Sequence, residues 1–134
     1  DLLKTPYPSL SGGERQRVQF ARALIQLMPF EKGDKLLILD EPLAALDLSV
    51  QQQILGEVSR LVKEYDLSVV MVLHDLNWIS HFCDHVYLMN NGRIAEEGTP
   101  QSIFNEANLK KYFDVKCNIL NNNGRPTMIY NDFL

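Results

Sequence analysis

Two adjacent carboxylates, Asp40 and Glu41, close the apolar run Leu36-Leu37-Ile38-Leu39. A short buried strand that ends in this way offers one charge to a hard divalent cation and a second to a reacting water. A short way upstream, Leu10-Ser11-Gly12-Gly13-Glu14 puts a hydroxyl and two glycines at the start of a helix. Backbone N–H groups point outward there and attract anions. Further along, His74-Asp75 follows a second apolar run, Val69-Val70-Met71-Val72-Leu73. The paired carboxylates and the anion-attracting corner together describe chemistry at the terminal phosphates of a nucleotide. No glycine-rich loop with a Lys occurs in the sequence, so the usual cradle for those phosphates is not among these residues.

The elements that must hold these residues are legible from periodicity. Pro6 and Pro8 keep the first residues extended. Val18, Ala21, Leu24, Ile25 and Met28 then recur at helical spacing, and Pro29 and Gly33 end that helix. Leu36–Leu39 reads as a strand buried on both faces of a parallel sheet. Val50, Ile54, Leu55, Val58, Leu61 and Val62 mark a second helix, with Asp47 or Ser49 as its N-cap. After the Val69–Leu73 strand come a helix from about Leu76 to Cys83 and a strand at Val86–Met89. Asn90-Asn91-Gly92 predicts a turn, with Arg93–Glu96 returning antiparallel. Thr99-Pro100 reads as N-cap and first residue of a short helix, and Asn105 caps another through Tyr112. Lys116–Leu120 and Thr127–Tyr130 flank the turn Asn121-Asn122-Asn123-Gly124. The order is helix, then β-α-β-α-β, then a small β/α appendage, which implies a parallel sheet.

Composition narrows the function classes. The 134 residues amount to one small domain or part of a larger one, and 46% apolar residues is too many for a disordered chain. A net charge of −4 gives no basic face for nucleic acid. Arg15, Arg17 and Arg22, the basic cluster, share one helix, and Arg15 and Arg17 are expected to be structural or to meet carboxylates near a nucleotide. Cys83 and Cys117 are far apart and form no CxxC, which fits a reducing compartment. No apolar run reaches the roughly 18 residues that span a bilayer, and Asp1-Leu2-Leu3-Lys4 does not read as a signal peptide. His81 and His85, with Cys83 and Asp84 between them, have no further ligand set and read as a solvated helix end.

These motifs resemble a known family. Leu10-Ser11-Gly12-Gly13-Glu14-Arg15-Gln16-Arg17 looks like the signature sequence of ABC ATPases, the motor subunits of ABC transporters. Leu36-Leu37-Ile38-Leu39-Asp40-Glu41-Pro42 resembles their Walker B strand, Leu46-Asp47 their D-loop and His74-Asp75 their switch histidine. The resemblance covers essentially the whole chain and begins partway through the family's domain. The Walker A loop, the adenine-stacking aromatic residue and the Q-loop would precede Asp1. It implies an α/β fold: the RecA-like parallel sheet of a P-loop NTPase, part of the ABC helical subdomain and a small C-terminal appendage. The expected division is a signature-helix region (1–30), a Walker B to switch-His core (31–98) and the appendage (99–134). In the family's sheet order, the missing Walker A strand would lie between the His74 strand and Val86–Met89.

The resemblance also implies roles. Asp40 would hold Mg²⁺ largely through water, and Glu41 would polarise the attacking water as general base. His74 would contact the γ-phosphate. Ser11, Gly12, Gly13 and Glu14 would bind ATP held by the opposite subunit, and Asp47 would cross the dimer interface. The implied partners are a second copy of the subunit, two transmembrane permease subunits and, indirectly, a periplasmic or surface substrate-binding protein. The implied location is peripheral, on the cytoplasmic face of a bacterial inner membrane. The 27–35 linker, the run Leu46-Asp47-Leu48-Ser49-Val50-Gln51-Gln52-Gln53 and the tail Ile103–Tyr130 resemble importers of haem, cobalamin and ferric siderophores, with haem the first choice. Leu43-Ala44-Ala45 departs from the family's frequent Thr-Ser-Ala. Two alternatives stand beside this reading: a non-transport ABC ATPase of the DNA-repair or chromosome type, and a fragment without catalytic activity of its own.

Overall fold

The computed structural model describes residues 4–27 and 35–130. The chain divides into two compact units, Asp1–Leu73 and His74–Leu134.

In the first unit, a single 3-10 turn at Tyr7–Ser9 leads into helix α1 (Gly12–Ile25). Strand β1 (Leu36–Asp40), helix α2 (Leu48–Tyr65) and strand β2 (Ser68–Val72) follow. Met28, Pro29, Gly33 and most of the 27–35 linker lie outside the described residues. β1 and β2 pair in parallel, from Leu36 opposite Ser68 to Asp40 opposite Val72. α2 buries a stripe of Ile54, Leu55, Val58 and Leu61, the spacing of one helical face. It ends where Asp66 turns left-handed at φ 54°, which frees the chain to enter β2.

One expectation needs correction. β1 is not buried on both faces: Leu37 and Leu39 are buried, whereas Leu36 is 53% and Ile38 68% exposed. β2, whose apolar run also reads as a buried strand, has no fully buried residue, and its Val70 and Val72 continue the same bare face. Side chains alternate across a strand, and these two strands have cover on one face only among the described residues.

The second unit is built from α3 (Leu76–Phe82), the hairpin β3 (Val86–Asn90) and β4 (Arg93–Gly98), two short helices and a second hairpin. The helices are α4 (Pro100–Ile103) and α5 (Glu106–Phe113), and the hairpin is β5 (Cys117–Asn122) and β6 (Arg125–Tyr130). The expected antiparallel return after Asn90-Asn91-Gly92 is present, and β5 and β6 also pair antiparallel. Thr99 and Asn105 cap α4 and α5 through their side chains. Gly98 has a φ of 153° and leaves no room for a side chain, since a Cβ there would stand 2.5 Å from Ser102 Oγ. The core joins Leu76, Val86, Leu88, Ile103, Phe104, Leu109, Cys117 and Met128. Asn77 ties α3 to β6 by donating to the Met128 carbonyl at 3.2 Å and accepting from its N–H at 2.8 Å. Among the described residues, no helix is long and apolar enough to cross a membrane.

Candidate functional site

Helix α1 begins in a capping box. The Glu14 N–H donates to Ser11 Oγ at 3.3 Å, and the Ser11 N–H donates to Glu14 Oε2 at 2.8 Å. A hydroxyl that accepts this bond still has its own proton to donate. Donation to the Glu14 carboxylate from the Ser11 backbone N–H, foremost, and from the Ser11 side chain holds that carboxyl below the usual carboxylate range. Gly13 lies close to the loop after β1. A Cβ built on it would meet Leu46 Cδ2 at 3.3 Å and the Ala45 carbonyl at 3.7 Å. Arg15 is structural, donating to the Pro8 carbonyl at 2.6 Å with its guanidinium 5.9 Å from the Tyr7 ring centre.

Asp40 is the last residue of β1, at the carboxyl end of the parallel pair, where open α/β sheets receive ligands. It is exposed, as is Glu41. A single exposed carboxylate suits Mg²⁺, a small hard ion that keeps several of its waters. No group of three or more His, Cys, Asp or Glu side chains able to hold a metal occurs among the described residues.

The loop from Glu41 to Asp47 has an unusual backbone. Glu41 (φ 46°) and Ala45 (φ 59°) are both left-handed, a conformation that L side chains disfavour. Pro42 and Leu43 are buried beneath it. Within it, the Ala44 N–H donates to the Glu41 carbonyl at 3.1 Å and the Leu46 N–H to the Leu43 carbonyl at 3.3 Å. Two glutamines reach the loop from the flanking helices. Gln16 Nε2 donates to the Glu41 carbonyl at 3.2 Å. Gln51 Nε2 donates to the Leu46 carbonyl at 3.0 Å and the Leu43 carbonyl at 3.3 Å. Sequence reasoning missed both residues; helical phase places Gln51 on the loop side of α2, but Gln52 and Gln53 beside it obscure the signal.

Asp47, rather than Ser49, caps α2. Its Oδ1 accepts from Ser49 Oγ at 2.7 Å and from the Val50 N–H at 2.9 Å. Those bonds, the one from Ser49 first, hold its carboxyl below the usual range. A depressed folded pKa means that the cap's contribution is present above the unfolded value of about 4 and is lost as pH falls through the folded one. Asp47→Asn keeps an N-cap oxygen without a titrating group. Acid titration followed by far-UV circular dichroism is therefore expected to lose helix more gradually in the variant than in the wild type. Superimposable titration curves would show that Asp47 does not carry that dependence.

Ser11 through Glu14, Asp40, Glu41 and Asp47 all fall in the first unit. His74 opens the second, exposed, beside Asp75, which caps α3 by accepting from the Asn77 and Trp78 N–H groups at 2.8 and 3.1 Å. His81 and His85 are exposed and lie against the rings of Phe82 and Tyr87.

No protein-family model matches the chain. Curated relatives do. The chain is 43% identical over 120 residues to the hemin import ATP-binding protein HmuV of Hahella chejuensis, covering 89% of this chain and 46% of that protein. It is 40% identical over 119 residues to HmuV of Escherichia coli O157:H7, covering 89% and 46%. The chain thus spans about half the length of the curated relatives it matches. Among solved structures, an inward-facing metal-chelate type ABC transporter superposes with a TM-score of 0.75 at 26% identity, over 94% of this chain and 50% of that one. The cbiO1 protein of Clostridium perfringens, part of the ABC transporter complex cbiONQ, gives 0.60 at 31% identity, over 80% and 40%. With motifs, fold and relatives in agreement, the chain belongs to the ABC ATPases of the P-loop NTPase fold, as a relative of haem-import ATP-binding subunits.

Proposed function

We propose that this chain supplies the signature and Walker B half of an ATP-hydrolysing subunit that drives import of haem or a related iron chelate or cobalamin. The observation that carries the reading is the link within one unit between the two chemical motifs: α1, capped by Ser11, reaches the Glu41 backbone through Gln16. The names of the relatives, hemin import proteins, favour haem.

In this reading Asp40 holds Mg²⁺ through water, and the ion when bound neutralises charge on the terminal phosphates. Glu41 accepts a proton from the attacking water, and His74 holds the water and γ-phosphate in register. Ser11 donates its hydroxyl proton, and the N–H groups at Gly12 and Gly13 face the γ-phosphate of an ATP held by a second copy, with Glu14 keeping the corner capped. Asp47 couples the two sites across the dimer. Two permease subunits in a bacterial inner membrane, and through them a substrate-binding protein, complete the assembly, with this subunit on the cytoplasmic face.

Mixed dimers of the complete subunit test the shared site. With Glu41→Gln on one copy and Gly12→Asp on the other, where an added Cβ meets nothing within 4 Å of its own copy, both defects fall in one composite site and the second stays intact. With both changes on the same copy, each composite site carries one defect. ATP turnover is expected to survive in the first arrangement and to vanish in the second. Equal turnover in the two arrangements would overturn the shared site.

A further inference from the structure

The loop that carries Glu41 is held by side chains that the proposed chemistry does not itself use. Left-handed backbone at Glu41 and Ala45 persists only where the surroundings over-determine it. Those surroundings include two amide donors from different helices. Gln16, on α1, donates to the Glu41 carbonyl at 3.2 Å, the same oxygen that receives the Ala44 N–H at 3.1 Å. Gln51, on the first turn of α2, spans the Leu43 and Leu46 carbonyls and so spreads its amide across the far side of the loop. Gly13, three residues before Gln16, brings α1 close enough for this contact, since even a methyl there would press on Leu46.

We infer that Gln16 and Gln51 are positioning residues for the Glu41 base, clamping the Glu41–Asp47 loop between α1 and α2, a role that rests on the ATPase reading above. Neither amide touches the reacting groups. Each fixes a backbone carbonyl, and the Glu41 backbone sets where its carboxylate can stand. Because Gln16 shares a helix with the Ser11–Glu14 corner, the clamp also joins that corner to the base of the same copy.

The test uses methionine, which keeps the length of glutamine and removes the donor. In the complete subunit, Gln16→Met and Gln51→Met are expected to lower kcat for ATP by about ten- to a hundredfold, the scale of a small misplacement of a catalytic group. KM for ATP is expected to stay within about twofold, as for a loss confined to the transition state. The thermal midpoint is expected to be unchanged, and Gln53→Met, an exposed neighbour on α2, to match the wild type. Wild-type kcat in both clamp variants would overturn the inference. So would a loss of kcat that comes with an equal fall in thermal midpoint or is shared by Gln53→Met, because the role would then be structural. Near wild-type turnover in Glu41→Gln would instead remove Glu41 from the role of base, and no ATP hydrolysis by the complete wild-type subunit would sink the ATPase reading, whatever the glutamines do.

Discussion

Replacing Glu41 with Gln in the complete ATP-binding subunit is expected to lower ATP turnover by about 10²- to 10⁴-fold, the usual contribution of a general base. Glutamine keeps the shape and hydrogen-bonding length of the side chain but cannot accept the proton of the attacking water. The loop has no reason to rearrange, since Gln16, Gln51 and the Ala44 N–H hold it by backbone carbonyls that the substitution leaves in place. ATP binding should therefore persist while hydrolysis stops, and the two are separated by measuring nucleotide retention and phosphate release on the same sample. The same assay on the 134-residue chain alone is expected to show no turnover, because its sequence holds no glycine-rich loop with a Lys to cradle the triphosphate. Near wild-type hydrolysis by Glu41→Gln would remove Glu41 from the role of base. Steady turnover by the short chain, surviving the same change, would move the chemistry elsewhere altogether.

The second large effect is on stability. Leu109 is fully buried at the centre of the second unit's core, among Ile103, Phe104, Cys117 and Met128. Leu109→Ala removes three methyl or methine carbons from a fully buried position in that core, and it is expected to cost about 2–5 kcal/mol. Trp78 on α3, the chain's one tryptophan, reports unfolding of this unit directly by its fluorescence. Leu120, 54% exposed on β5, provides the contrast, and Leu120→Ala is expected within about 0.5 kcal/mol of the wild type. Equal denaturation midpoints for the two variants would show that Leu109 is not at the centre of that core.

Much of the local structure follows from short-range rules. Ser11 with Glu14, Thr99 with Pro100, and Asn105 are recognisable caps because a side-chain oxygen satisfying an N–H three residues on is a purely local event. The two hairpins are equally local, since Asn91-Gly92 and Asn123-Gly124 tolerate positive φ wherever they occur. The choice between Asp47 and Ser49 at the start of α2 is just as local, but residue type alone leaves two candidates. Both can cap, and the structure resolves it by letting Ser49 donate to the Asp47 carboxylate.

Sequence alone picked out the candidate site residues, their order, and most of the helices and strands that carry them, because residue type, periodicity and capping act over a few positions. Three things were decided only by tertiary structure. Burial of β1 depends on what covers each face of a strand pair, so an all-apolar run left Leu36 and Ile38 exposed. The left-handed turn at Glu41 and Ala45 depends on a loop fastened at both sides, since neither residue type favours it. The roles of Gln16 and Gln51 depend on carbonyls that come near them only when α1, the loop and α2 have packed, and amide donors carry no mark in sequence of the acceptors they will meet.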